Sequence, residues 1–317
     1  MISNEDETNS SKDEDEDEDV INSGESDEQS NQKNGSEKQV ETFYPALRYV
    51  GIILIILAVM NFVSLPIAWF SSEIFAIPAL LIVGGLSVVI GSILAYIGRG
   101  YEEPSLYQIF WMGALSWLVI SIGGAFTICL IALATPENAG SLTSSHVFNH
   151  FTNALFESIS GFTSSGLTLV AGREADLSAT LQWWRSISQW VGGLGFISLV
   201  LMYIQPTYRS HLAIETELAD QEYHKNPAVM ARHLWIVYAF LTAASIGVLA
   251  VQDLSVWEAI NYGLTGISTG GFGITNESMG NFSRLAQWTM IGIVILGAIN
   301  FAIYDKLYHC DFSVLKA

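Results

Sequence analysis

From about residue 48 onward the chain reads as a series of long apolar runs separated by short polar breaks. A helix rises 1.5 Å per residue, so a run of about 20 apolar residues matches a hydrocarbon core of ~30 Å. Such runs fall at 48–70, 76–98, 106–134, 181–204, 229–251 and 286–304, and each predicts a membrane-crossing helix. Two shorter helices are predicted between them, His146–Ser160 and Ser255–Thr265. Their length suits descent into a bilayer and return, not a crossing. Each is followed by a Ser/Thr/Gly stretch, Gly161-Phe-Thr-Ser-Ser-Gly-Leu-Thr168 in one case and Gly266-Ile-Ser-Thr-Gly-Gly-Phe-Gly273 in the other. Non-helical backbone is tolerated at membrane depth only where it is buried in protein or lines a watery cavity. The expected fold class is therefore an all-α membrane protein, with about six transmembrane helices and two re-entrant pore-helix and filter loops in span-pore-span repeats.

The two stretches belong to a longer internal repeat. Laying residues 153–197 on 258–302 without a gap, an offset of 105, pairs Ala154 with Ala259, Gly161 with Gly266, Gly166 with Gly271 and Ser178 with Ser283. It also pairs Gln182-Trp183 with Gln287-Trp288, Gly192 with Gly297 and Phe196 with Phe301. Chance matching of glycines accounts for a few of these identities, but not readily for a Gln-Trp pair at the mouth of each following helix. Internal duplication with the site at the repeat interface is a recurrent way of building membrane transport proteins.

Charge adds a segregated segment. Half the residues are hydrophobic, yet the formal net charge is -18, and residues 1–41 hold 15 Asp or Glu against three Lys, including the run Asp13–Asp19. Such a segment cannot bury enough surface to offset its ordering entropy, so it is expected to be disordered. It has neither the basic start nor the apolar centre of a signal peptide. Two roles stay open for it, a solvating tail and a cation-attracting or partner-binding arm. With the N-terminus inside, Arg48, Arg99, Arg209, Lys225, Arg232, Lys306 and Lys316 fall at cytoplasmic loops or span ends, and Arg173 and Arg284 in outer loops. The positive-inside rule therefore predicts a multi-pass protein of the plasma membrane with both termini cytoplasmic and both loops entering from outside.

The cysteines, Cys129 in mid-span and Cys310 near the C-terminus, are on different segments and are expected to be unpaired. His309, Cys310 and Asp311 match no metal-ligand spacing. Asn276-Glu-Ser and Asn281-Phe-Ser in the predicted outer loop are N-glycosylation sequons. Paired intramembrane Asp residues, a His-x-x-x-His set and a nucleophile with its base are all missing from the pattern, so an enzyme is not expected. No cofactor is expected either.

The loops have the composition of an ion pathway. Moving a bare monovalent cation into a low dielectric costs on the order of 20 kcal/mol, so a pathway must replace its lost water oxygens almost completely. Backbone carbonyls are neutral and individually weak, and a ring of them replaces hydration without trapping the ion. Aiming successive carbonyls at one axis needs unusual dihedrals, which favours glycine at the turn. Gly166 and Gly271 are the aligned candidates, Gly270 adds freedom, and Thr163, Ser164 and Ser165 align with Ser268, Thr269 and Gly270, the hydroxyls among them being further oxygen ligands. These eight residues are the expected ion-binding set, with potassium held through the filter backbone alone. Close helix packing is the other reading of small residues in a membrane. Glu157 and Glu258 are expected to cap or pair structurally, Asp253 to mark an outer surface or helix start, and Gly192-Gly-Leu-Gly195 to pack helices or to hinge. Trp183, Trp184, Trp190 and Trp288 are expected to anchor and pack.

The order of short helix, Phe-Thr-Ser-Ser-Gly-Leu, Gln-Trp and Gly-Gly-Leu-Gly resembles the first pore repeat of the TrkH/TrkG/KtrB family of potassium uptake proteins, and Ser268-Thr-Gly-Gly-Phe272 resembles the second. The resemblance covers nearly everything after residue 45. It implies four span-pore-span repeats around one potassium pathway, sometimes preceded by two extra helices. Here residues 1–45 would be an acidic cytoplasmic tail and 46–104 the extra pair. Residues 105–228 would be the first repeat with its cytoplasmic loop, and 229–317 the second. The third and fourth repeats have no counterpart in these residues. Two readings follow: a potassium transport subunit, or a non-conducting fragment or accessory half-subunit that needs further repeats. The resemblance further implies a homo-oligomer or a partner half-subunit in the lipid bilayer. It also implies a TrkA-type cytoplasmic nucleotide-binding regulator, for which Gln205–Asn226 would be a contact surface, the default reading of that segment being a polar loop that joins two helices. No nucleic-acid partner is implied.

Overall fold

The computed structural model describes residues 46–99, 106–137, 140–193, 195 and 227–299. The acidic segment, Gln205–Asn226 and the His309-Cys310-Asp311 cluster lie outside these residues, as do the far ends of the fourth and sixth predicted spans. No strand occurs among the described residues. Among the described residues three helices are long and apolar enough to cross a membrane. They are α1 (Ala46–Phe70), α2 (Ile77–Ile97, led in by a 3-10 turn from Ile74) and α3, of which Trp111–Ala134 is the apolar part of Leu106–Ala134. The following elements are α4 (Phe151–Phe162), α5 (residues 179–193), α6 (Pro227–Ala250), α7 (Val256–Ile267) and α8 (Arg284–Ala298).

The first short helix is displaced from its expected bounds. His146–Asn149 belong to a 3-10 segment, Gly140–Asn149, and His150 is extended at φ -87, ψ 124, so α4 starts after it and runs on to Phe162. The second keeps closer to expectation, because Ser255 and Glu258 form a capping box that fixes its start.

Two cores form. One gathers Leu57, Leu80, Ile128, Phe148, Phe162, Leu181 and Trp184 from α1 to α5, and the other gathers Leu249, Ala259, Tyr262, Ile274, Ala286 and Ile293 from α6 to α8. Polar side chains tie α1 and the α1–α2 turn to the first of these. Buried Asn61 donates to Leu57 O and accepts from Thr127 Oγ1 on α3, and Trp183 Nε1 donates to Ser64 Oγ. Glu73 in the α1–α2 turn accepts from the N–H groups of Ala179 and Thr180 at 2.7 and 2.8 Å. A carboxylate there satisfies the orphan donors of α5 and complements its dipole.

The 105-residue offset holds in the hydrogen bonds. Gln182 Nε2 donates to Glu174 O, and Gln287 Nε2 donates to Met279 O, so the glutamine of each Gln-Trp pair ties its helix to the preceding turn at matching positions. In the first repeat Glu157 meets Arg185, Gly161 abuts Ser188, and Gly192 abuts the carbonyl of Phe162. Contacts that advance together in this way make α4 and α5 run in the same direction, so the chain between them doubles back. In the second repeat Asp253 meets Ser283, Gly266 abuts Met290 and Ile293, and Gly297 abuts the carbonyl of Ile267, giving α7 and α8 the same relation. Gly192 and Gly297 thus occupy places where a side chain would strike backbone, and packing is the role the geometry gives them.

Candidate functional site

Both short helices end in the same turn. In α4 the N–H of Ser164 bonds Gly161 O at 3.0 Å and that of Ser165 bonds Ser160 O at 3.1 Å; in α7 Thr269 bonds Gly266 O at 3.0 Å and Gly270 bonds Thr265 O at 2.8 Å. These are paired Schellman closures, which place one residue in the left-handed region. Ser164 and Thr269 take that place at φ 53 and 52, and two residues later Gly166 and Gly271 are again left-handed at φ 71 and 85. Four left-handed residues at two matched pairs of positions fix two loops of one shape.

The loops touch. A side chain on Gly166 would strike the carbonyl of Gly270, so glycine there serves both the dihedral and the approach. Thr163, Ser165, Thr269 and Gly271 are exposed, Ser164 and Gly166 half-buried, and Ser268 and Gly270 buried. The hydroxyls of Thr163, Ser165 and Ser268 donate back to carbonyls of their own helices, at Ile159 (2.8 Å), Ser160 (3.4 Å) and Leu264 (3.0 Å). They satisfy carbonyls rather than amides. The carboxyl ends of α4 and α7 lie at the loops, each bringing roughly half a negative charge.

Behind the loops stand two α5 side chains one turn apart. Arg185 pairs with Glu157 at 2.8 Å, both side chains being at most 2% exposed. Its other nitrogens reach Thr168 Oγ1 at 3.3 Å and Gly273 O at 3.0 Å, which are matching positions of the two loops, and its plane lies 4.2 Å from the Phe272 ring centroid. Glu157 also accepts from Thr168 Oγ1 at 2.8 Å and from the Leu169 N–H at 3.2 Å. The pair is electrically neutral and braces the part of both loops beyond the two left-handed turns. Gln189 donates to Gly270 O at 2.6 Å, accepts from Phe272 N–H at 3.1 Å, and its carbonyl receives Ser164 Oγ at 3.4 Å.

All eight sequence-predicted residues therefore lie in or beside the two touching turns. Glu157 pairs and Glu258 caps, as expected. Asp253 marks a helix start, but that of α8: it accepts from Ser283 N–H and Oγ–H, and these bonds hold its carboxyl below the usual carboxylate range. Trp184 is buried and Trp190 Nε1 bonds Thr242 Oγ1, while Trp288 is exposed. Arg185, Gln189 and Glu73 were not anticipated. For Arg185 a signal existed, since an ionisable residue inside an apolar span marks a site by default.

With this geometry in place, comparison with known proteins is informative. A family model described as TrkH, Cation transport protein, matches residues 124–314. The chain belongs to the TrkH family. An uncharacterized cation transporter of Methanocaldococcus jannaschii is 30% identical over 222 residues, covering 68% of this chain and 43% of that protein. The Trk system potassium uptake protein TrkI of Halomonas elongata is 27% identical over 272 residues, covering 83% and 51%. The crystal structure of the potassium transporter TrkH from Vibrio parahaemolyticus superposes with a TM-score of 0.66 at 22% identity, over 83% of this chain and 51% of that one. The chain spans about half the length of the relatives it matches. Family membership and the apolar helices make it a multi-pass membrane protein, and TrkH proteins are transporters, not enzymes.

Proposed function

We propose that this chain contributes part of a potassium uptake pathway, in which the cation is held by backbone carbonyls of the two loops around Gly166 and Gly271. The supporting observation is the pair of identical left-handed turns, closed at the carboxyl ends of two short helices and touching each other. Potassium is the transported substrate, in keeping with the potassium uptake proteins TrkI and TrkH among its relatives. On this reading α1 and α2 are an accessory pair. The chain crosses the bilayer six times with both termini inside, and α4 and α7 descend from outside without crossing. Residues 105–228 and 229–317 each supply one hairpin, and further hairpins from a second copy or a partner half-subunit complete the ring of oxygens. A TrkA-type nucleotide-binding protein on the cytoplasmic side is the expected regulator.

The test is growth on low potassium of a bacterial strain lacking its own uptake systems and expressing this chain, with and without a co-expressed second half of a Trk relative. Restored growth that Gly166→Ala or Gly271→Ala abolishes supports the reading. Growth and cation preference untouched by both changes would overturn the filter assignment.

A further inference from the structure

The two loops share a backbone but not their support, and the difference singles out Gln189. Its amide makes both of its contacts with the other repeat: Nε2 donates to Gly270 O at 2.6 Å and Oε1 accepts from Phe272 N–H at 3.1 Å, on either side of left-handed Gly271. The residue is fully buried. One primary amide thus satisfies an acceptor and a donor two residues apart, which fixes the peptide planes around Gly271 as a short stretch of β-ladder would. Its own backbone carbonyl receives Ser164 Oγ, so the same residue touches the first loop as well.

Gly270 O is turned toward Gln189 and toward Gly166, and a side chain on Gly270 would strike the Gln189 amide. Among the described residues no such clamp recurs in the second repeat. At the offset of 105, Arg185 and Gln189 correspond to Met290 and Val294 on α8, which line an open apolar groove of about 470 Å³. The polar pair is a property of α5 alone.

We propose that Gln189 is a specificity-determining positioning residue: by tying down Gly270 O and Phe272 N–H it turns one carbonyl of the second loop away from the cation and fixes the spacing between the two loops. The proposal rests on reading these loops as the cation path. Preference among monovalent cations depends on the number and spacing of carbonyls, so releasing Gly270 changes preference before it changes folding.

The experiment takes the purified full chain together with a co-expressed second half of a Trk relative, titrates it in detergent with KCl and NaCl at constant ionic strength, and takes half-saturating concentrations from thermal unfolding. Gln189→Met keeps the length of the side chain and removes both hydrogen bonds. Gln182→Met is the control, because Gln182 sits on the same helix and also bridges the repeats, accepting from Trp257 Nε1 at 2.9 Å, yet touches no loop glycine. Expected is a wild-type potassium preference that falls about fivefold or more in Gln189→Met, the size of one or two lost hydrogen bonds, and is retained in Gln182→Met. If Gln189→Met does not fold, Gln189→Glu decides: it keeps the acceptor for Phe272 N–H, loses the amide donor to Gly270 O, and should also lose preference. Unchanged preference in the variant that folds, or equal loss in Gln182→Met, overturns the role of Gln189. Absence of any cation preference in the wild type overturns the filter reading, and this proposal with it.

Discussion

Loop one and loop two follow the same path through space, with left-handed residues at Ser164 and Gly166 in one and at Thr269 and Gly271 in the other. What holds them differs. Loop one is braced from its own short helix α4, where Glu157 accepts from Thr168 and Leu169. Loop two is held from the neighbouring repeat, where Arg185 and Gln189 on α5 bond Gly273, Gly270 and Phe272. Tyr262, which stands at the place of Glu157, instead bonds Thr275 within its own repeat. A duplicated backbone can thus be kept while its supports diverge, because the Schellman closure needs only main-chain groups and a tolerant residue at the left-handed position.

Removing the brace sharpens this contrast most. Glu157→Gln leaves the buried Arg185 guanidinium uncompensated, a change worth about 3–5 kcal/mol when one partner of a buried ion pair is lost. The expected result is a large drop in unfolding temperature of the purified protein, partly recovered in the neutral double variant Glu157→Gln, Arg185→Gln. The two glycines should then separate. Gly166→Ala pays for the left-handed dihedral and for the clash with Gly270 O, about 2–4 kcal/mol together. Gly271→Ala meets only Gly166 Cα at 3.9 Å and pays the dihedral alone, about 1–2 kcal/mol. Equal thermal destabilisation by the two would break the asymmetry.

The helix starts carry the same comparison at smaller scale. The start of α5 is capped by Glu73, 7% exposed, and that of α8 by Ser283, whose N–H and Oγ–H are in turn held by the exposed Asp253. Glu73→Ala should cost about 1.5–3 kcal/mol, the range for hydrogen bonds to a charged group, read as a fall in unfolding temperature. Asp253→Asn should cost less, and its effect should depend on pH. The folded-state carboxyl is depressed, so its contribution is present above the unfolded value of about 3.9 and is lost as pH falls through the folded one. Unfolding temperatures of wild type and Asp253→Asn should therefore converge at low pH.

Much of this was legible in the chain. The apolar runs located α1, α2, α3 and α6 to within a few residues, and the repeat offset paired positions whose backbones match. The pairing held even where residue types differ, as for Ser165 and Gly270. Lengths of helix were less legible: nothing in the residues 146–150 announces that His150 is extended and that α4 begins beyond it. The supports were least legible, because their partners lie far along the chain. Arg185 reaches Glu157 across 28 residues, Gln189 reaches Gly270 across 81, and Glu73 reaches Ala179 across 106. Side chains such as Gln189 carry no local pattern that distinguishes a clamp from a packing residue.

The most direct measurement is a crystal structure of the chain, assembled with a co-expressed second half of a Trk relative and grown in rubidium, with anomalous scattering used to locate the ion. A rubidium peak between the two loops, within coordination distance of main-chain oxygens around Gly166 and Gly271 and absent from the Gly166→Ala protein, is the expected result. A peak elsewhere with both loops empty, or either hairpin drawn out into a continuous transmembrane helix, would contradict it.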